Sequence, residues 1–273
     1  MEKDRNLFAD IELARRVEAT EAWGGLDSTE TLSRVRSDMS ADAEHVAGGI
    51  AVFAGSASPI TQVVGMGLSG PVTTDELERV EAFFRSRDAS IRVELCPLAD
   101  PTLLELLTSR GYCIKEFTNV LFRRLTGDEV GESHRSTAEV RTVGPSVAEL
   151  WAKTVVEGFA EQFPATPGLL RLIASFCERP TTTAFLALID DQPAGGGALS
   201  VHNRVAALYG ASTLPAFRRR GVQTALLHAL VRHAAATECD LAYTLTQPGS
   251  ASQRNVERYG FRVAYTRVLM TKD

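Results

Sequence analysis

Few features of this chain point away from an ordinary globular fold. Its 273 residues hold four cysteines, and Cys96, Cys113, Cys177 and Cys239 are scattered, with no C-x-x-C pair and no histidine at metal-ligand spacing. That excludes a disulfide scaffold and a zinc site of the usual patterns, and leaves free thiols in a reducing compartment. No run approaches the roughly 20 apolar residues of a membrane span. The start, MEKDRNLFADIELARR, is charged throughout and lacks the apolar core of an export signal, so a cytoplasmic protein is expected. Basic charge is in deficit, with a net charge of −5. A nucleic-acid-binding surface is therefore not expected. Hydrophobic residues at 44% and charged residues at 23% are globular usage, and the length suits two domains of about 100–150 residues.

Against this background, Arg218-Arg219-Arg220-Gly221-Val222-Gln223-Thr224 stands out. Three arginines and a glycine open a helix whose apolar residues Val222, Ala225, Leu226, Ala229 and Leu230 recur at helical spacing. A helix N-terminus carries about half a positive charge and unpaired N–H groups, so cations there need an anion to join them. Leu208 to Ser212, before Pro215, reads as a strand. Strand, Arg/Gly turn and helix in that order form a pocket for a diphosphate. The same triplet also reads as a solvated basic surface.

Internal similarity is the second signal. Gly111-Tyr112 to Phe122 and Gly260-Phe261 to Met270 align, with one residue skipped, as Gly-aromatic followed by aromatic-Thr-x-Val-Leu. Each follows a short helix, Thr102 to Arg110 and Ser252 to Tyr259. Further back, a strand at Gln62 to Leu68, Pro71, a helix at Thr74 to Ser86 and a strand at Ile91 to Leu95 match the order around Pro215, the arginine turn and Leu241 to Leu245. In the first copy the arginine turn is replaced by Val72-Thr73-Thr74-Asp75-Glu76, whose Thr73-x-x-Glu76 is a capping box. Its carboxylates satisfy the helix start internally and repel a diphosphate, so no phosphate site is expected there.

Residues 126 to 138 are polar and read as a linker, which divides the chain into 1–126 and 139–273. The first part owns a helix from about Ile11 to Trp23 and an unassigned stretch to Gly48. The second opens with a strand at Val140 to Val143, then helices at Ser146 to Gly158 and Gly168 to Glu178. A hairpin at Thr183 to Ile189 and Ala194 to Val201 follows, turning at Asp190 to Pro193, and a strand runs from Val205 to Ser212.

The arginine turn, with Arg218 and Gly221 in the Arg/Gln-x-x-Gly-x-Gly/Ala pattern, resembles the acetyl-CoA signature of the GNAT superfamily of N-acetyltransferases. The element order over about 139–273 is similar to that superfamily's too. Gln223 departs from the pattern, standing where a second small residue is usual. The resemblance implies an α/β (α+β) fold of two GNAT-like domains, each a central mixed, mostly antiparallel sheet flanked by helices, with a degenerate N-terminal copy. It implies acetyl-CoA as co-substrate, its diphosphate on Arg218, Arg219, Arg220, Gly221, Val222, Gln223 and Thr224. The pantetheine arm would lie along the backbone of Ser212, Thr213 and Leu214, and Ser252 becomes a further CoA contact.

The implied activity is acetyl transfer to a primary amine by direct attack in a ternary complex. No G-x-S-x-G occurs, and Cys239 has no histidine at hand. The family's usual tyrosine acid has Val256 in its place, and Tyr259 beside Gly260 reads as a packing residue. The family's cofactor-contacting Asn is replaced by Gly249. No Glu or Asp lies on the strands around 206–213 or 241–246, so the candidates for acid-base work are Glu161, in the loop Phe159 to Pro164, and Tyr209, with His202 behind them. Glu161 also reads as a solvated loop carboxylate. The acidic chain, without a recognisable peptide-binding module, favours a small-molecule amine as acceptor. A protein N-terminus or lysine, and a non-catalytic acyl-CoA-binding sensor, are the alternatives, and oligomeric state stays open.

Overall fold

The structure is a computed structural model that describes residues 9–36, 38–131, 136–161 and 164–272. Most of the charged N-terminal run, part of the linker and Gln162 and Phe163 of the candidate acceptor loop fall outside the described residues.

In the first half, α1 (Ile11–Val35) precedes β1 (Asp42–Val46), β2 (Gly49–Phe53), β3 (Gln62–Val64), α2 (Thr74–Arg85), β4 (Ile91–Leu95), α3 (Pro101–Ser109) and β5 (Cys113–Arg124). The second half has β6 (Glu139–Val143), α4 (Ala148–Gly158), α5 (Pro167–Ser175), β7 (Thr182–Ile189), β8 (Gln192–His202), β9 (Val205–Thr213), α6 (Val222–Ala236), β10 (Leu241–Thr246), α7 (Ala251–Arg258) and β11 (Arg262–Lys272). The expected fold class is the observed one, a mixed sheet flanked by helices.

All strands join one 11-stranded sheet in the order β1-β2-β3-β4-β11-β5-β10-β9-β8-β7-β6. The last strands are exchanged. β5 ends the first half in sequence but pairs with β10, and β11 ends the second but pairs with β4. Positions matched by the internal repeat pair reciprocally: Leu245 lies opposite Val120, and Leu95 opposite Val268. Where β5 meets β11, Thr118 faces Arg267 and Asn119 faces Thr266. That is the pattern of a local two-fold axis through the centre of the sheet. The pairs β3–β4 and β9–β10 are parallel, and the rest are antiparallel.

Helix α1 is wedged between the halves. Leu13, Ala14 and Val17 pack against Leu68 and Cys96 of the first half and Val205, Ala207 and Tyr243 of the second, while Leu32 reaches Trp151 and Leu172. The helix runs through Gly24-Gly25 and ends at Val35, well past Trp23. A Cβ at Gly25 would stand 2.7 Å from Val52 Cγ2, so the glycine permits close approach to β2 and does not end the helix. Its buried hydroxyls bond back to helix carbonyls, Thr20 to Arg16 at 2.8 Å and Ser28 to Gly24 at 2.7 Å.

Burying α1 on both sides also buries charge. Arg267, 1% exposed, donates to Glu18 at 3.1 Å and to both oxygens of Glu21 at 2.9 and 3.0 Å. Glu94 lies 3.7 Å from Arg267 Nε, and Tyr265 donates to Glu18 at 2.7 Å. Burial pushes the Glu18 and Glu94 carboxyls above the usual range, against the pull of Arg267. Burial opposes the charge of Arg267 in turn, but the surrounding carboxylates hold it firmly protonated.

Two expected outcomes test this architecture. Because each half completes its sheet with the other's last strand, fragments 1–126 and 139–273 should copurify when co-expressed and be insoluble when made separately; two soluble, monomeric fragments would contradict the exchange. Arg267→Met should cost about 3–5 kcal/mol by urea unfolding, since it strands buried carboxylates. A carboxyl whose folded pKa is raised contributes stability below its unfolded pKa and loses it as pH rises through the folded value. Glu94→Gln should therefore gain stability relative to the parent as pH rises above the ordinary glutamate range, as differential melting curves would record.

Candidate active site

The hydrogen-bonded pairing of β9 with β10 runs from Val205–Leu241 to Leu208–Thr244 and stops there, although β9 continues to Thr213 and β10 to Thr246. Beyond Leu208 the two strands part. The divergence begins beside a bulge, where Gly196 pairs with Ser212 but Ala198 with Tyr209, and Gly210 within it takes a left-handed φ of 67°. On its other side β9 stays tied to β8. Leu214 N–H donates to Ala194 O at 2.9 Å, so strand alternation turns the N–H and C=O of Thr213, one residue back, away from β8.

Of Ser212, Thr213 and Leu214, Thr213 is the one whose backbone groups turn toward the opening. Those of Leu214 do not, since Ala194 takes its N–H and Phe217 N–H binds its carbonyl at 2.9 Å. Ser212 points its hydroxyl at Val155 O of α4, 3.0 Å away.

The chain then passes a 3-10 turn at Pro215–Phe217 and reaches the arginines, all three exposed. Arg219 and Gly221 both take left-handed φ, 62° and 80°. Gly221 is the N-cap of α6 and offers no side-chain cap. The first helical bond is Ala225 N–H to Gly221 O at 3.0 Å. Among the described residues nothing accepts from the N–H groups of Val222, Gln223 and Thr224. The corresponding start of α2 is closed. Thr73 Oγ1 accepts from Glu76 N–H at 3.3 Å, and the Glu76 carboxylate accepts from Thr73 N–H at 2.8 Å. The Thr73 backbone bond holds that carboxyl below its usual range.

The space between β3 and β4 is closed as well. Gly67 N–H donates to Ala47 at 3.1 Å and Gly67 O accepts from Asp100 at 2.8 Å. Leu68 O accepts from Arg15 Nε at 2.9 Å, and Leu103 lies 3.3 Å from where a Gly67 Cβ would be.

The acid-base candidates are dispersed. Glu161 is exposed and pairs with Arg218 at 2.7 Å, which sets it at the arginine turn. Arg220 lies over the Phe217 ring at 5.4 Å, with Asp190 at 3.8 Å. Tyr209 is the first β9 residue past the end of pairing. Its hydroxyl is committed to Thr182 Oγ1 at 2.9 Å and Arg179 Nη1 at 3.4 Å, and that arginine is buried against Asp27 of α1 at 2.7 Å. His202 stacks on Trp23 with centroids 4.5 Å apart, and burial lowers its pKa.

Gln223 Nε2 comes within 3.5 Å of Ala211 O on the bulge. Ser252 is exposed on the first turn of α7, and Ser250 caps that helix through Gln253 N–H at 3.1 Å. Val256 is buried, and Tyr259 packs against the same core with Arg123 over its ring at 5.1 Å. Among the described residues no His/Cys/Asp/Glu group is arranged to hold a metal, and no helix is long and apolar enough to cross a membrane.

A parted parallel strand pair leading into an uncapped, arginine-lined helix start has the chemistry to receive a phosphorylated, strand-like ligand. Residues 148–261 match the family model described as Acetyltransferase (GNAT) family. Among solved structures, a GCN5-related N-acetyltransferase from Kribbella flavida superposes with a TM-score of 0.63 at 18% identity, over 92% of this chain and 95% of its own. A tandem GNAT protein from the clavulanic acid biosynthesis pathway covers 90% of this chain and 87% of its own at 0.59 and 15% identity. A third, a GCN5-related N-acetyltransferase from Sphaerobacter thermophilus, covers 85% and 75% at 0.56 and 17% identity. At these identities the likeness is one of fold. No curated protein matches the chain in sequence.

The Glu161–Arg218 pair yields a direct test. Exposed pairs contribute about 0.2–1 kcal/mol, so Glu161→Gln should tighten acetyl-CoA binding by no more than about 5-fold, read by titration calorimetry. A fall in turnover of about 100-fold with affinity unchanged would instead make Glu161 the base.

Proposed function

We propose that the second half of the chain binds acetyl-CoA and transfers its acetyl group to a primary amine, with residues 1–126 as a related unit that keeps the fold without a cofactor site. The observation that carries this reading is the contrast between the two helix starts. α6 opens with free N–H groups beneath three arginines, while α2, its counterpart, closes on its own capping box. A diphosphate satisfies the first and is repelled by the second.

In this reading Arg218, Arg219 and Arg220 and the N–H groups of Val222, Gln223 and Thr224 hold the diphosphate. The outward N–H and C=O of Thr213 pair with the amide-bearing arm as a sheet edge pairs with an added strand, and Ser252 lies beside the CoA. Acetyl-CoA supplies the activated acyl group. An N–H of the parted β9 stretch then polarises the thioester carbonyl and stabilises the charge that develops on it. Attack by the amine is direct. Cys239, just before β10, is buried, and burial raises its thiol pKa, which disfavours a thiolate nucleophile. Glu161 and Tyr209 remain the groups to test for proton transfer.

A small-molecule amine is the favoured acceptor, in keeping with the acidic chain, and a protein N-terminus or lysine is the second choice. The non-catalytic, acyl-CoA-sensing reading has two observations behind it: buried Val256 occupies the position of the family's tyrosine acid, and Gly249 that of its cofactor-contacting Asn.

Thiol release from acetyl-CoA against a panel of amines separates these readings, since transfer to any amine excludes a pure sensor. Calorimetry should find about one CoA per chain. Gly221→Glu places a carboxylate where the diphosphate approaches the backbone, and should weaken acetyl-CoA binding at least about 10-fold with the fold intact. Unchanged affinity in that variant would remove the phosphate reading.

A further inference from the structure

Two buried hydroxyls stand at the mouth formed where β9 and β10 part, one on each strand. Thr246, the last residue of β10, is 6% exposed, and its Oγ1 has no hydrogen-bond partner among the described residues; Thr213 Oγ1, at the end of β9, is likewise buried without one.

Their directions follow from their neighbours. Thr246 lies opposite Asn119 in the β5–β10 ladder, and residues directly opposite share a face of the sheet. Asn119 bonds Gln253 of α7 at 3.2 Å, so Thr246 faces α7. Ser212 faces α4 through Val155, so Thr213, the next residue along, faces the opposite side, where α6 packs. Both hydroxyls therefore look onto the face that carries the arginine turn and α7.

The first half marks the feature as specific to this site. By the reciprocal pairing of Leu95 with Val268 and Leu245 with Val120, the counterpart of Thr246 is Cys96. That thiol is packed with Leu68 and Tyr265, and burial pushes its pKa up to about 12. The half with a capped helix start has an inert apolar side chain at this position, and the half with the open start has an unsatisfied donor. A buried hydroxyl left unpaired weakens a fold, so its presence calls for a partner that comes with the ligand.

We propose that Thr246 and Thr213 clasp the pantetheine arm of the acyl-CoA from its two sides, their hydroxyls bonding its amide or thioester oxygens. This makes Thr246 a binding residue supplied by β10, in addition to the backbone of β9. The inference rests on the acetyl-CoA reading above.

The test uses the full chain, the single variants Thr246→Val and Thr213→Val, and two probes: acetyl-CoA, and 3′-phospho-ADP, which keeps the phosphates and lacks the arm. Valine has threonine's shape without its hydroxyl. Each variant should bind acetyl-CoA about 5- to 10-fold more weakly and 3′-phospho-ADP as the parent does. Each should also melt at a higher temperature when free, because an unpaired buried hydroxyl has been removed. Undiminished acetyl-CoA affinity, equal loss for both probes, or a lowered melting temperature would overturn the proposal and give the hydroxyls a role in the fold. A parent chain that binds neither probe would overturn the cofactor reading itself, and this proposal with it.

Discussion

Everything in this molecule hangs on the antiparallel contact between β5 and β11. Each strand leaves the half that precedes it in sequence and completes the sheet of the other, so the seam at Thr118–Arg267 and Asn119–Thr266 ties both halves through backbone hydrogen bonds. α1 lies across the continuous sheet and packs against both halves. The buried charge follows from that packing. Glu18, Glu21 and Glu94 gather around Arg267 because α1 must cross the seam where polar side chains of β11 and β4 face inward. Such a cluster is costly to bury and intolerant of losing its cation, which suits it to fixing how the halves are joined.

The seam also positions the site. β10 is held on one side by β5, a strand of the first half, through Thr246–Asn119, while its pairing with β9 stops at Thr244–Leu208. The opening therefore has one wall braced by the first half and one held by β8. The first half therefore sets part of the geometry of the opening in the second.

Much of this was legible in the sequence, for physical reasons that differ by element. Thr73-x-x-Glu76 was readable because capping is local chemistry at a helix start, and the capping box forms as expected; Arg218 to Gly221 lead into an uncapped helix start by the same local logic. The repeat was readable because matched core positions repeat. The exchange was not: alignment orders strands along the chain, but an unpaired strand edge offers the same N–H and C=O groups to either partner. The hairpin β1–β2 went unassigned although Gly48-Gly49 marks a turn, and the turn itself holds Ala47, a non-glycine residue, at a φ of 45°. The helix was expected to end at Trp23, but it runs on through Gly25, which permits a close approach to Val52 of β2. The pairing of Glu161 with Arg218 joins residues 57 positions apart. The parting of β9 from β10 leaves only Gly210 as a trace in the sequence, and the two threonines gained significance once their partners could be counted.

The exchanged strands impose an order on biosynthesis. β4 is complete at Leu95, but the neighbour that covers its free edge, β11, ends at Lys272. At about 5–20 residues per second, a translating ribosome needs roughly 10 to 35 seconds to deliver the missing strand. During that interval the nascent first half carries an open sheet edge beside Glu94, and α1 has only one of its two walls. A charged side chain on that edge disfavours pairing with a neighbouring chain. The carboxylate that weighs against the finished fold would then serve the unfinished one, keeping the edge free until its own strand arrives.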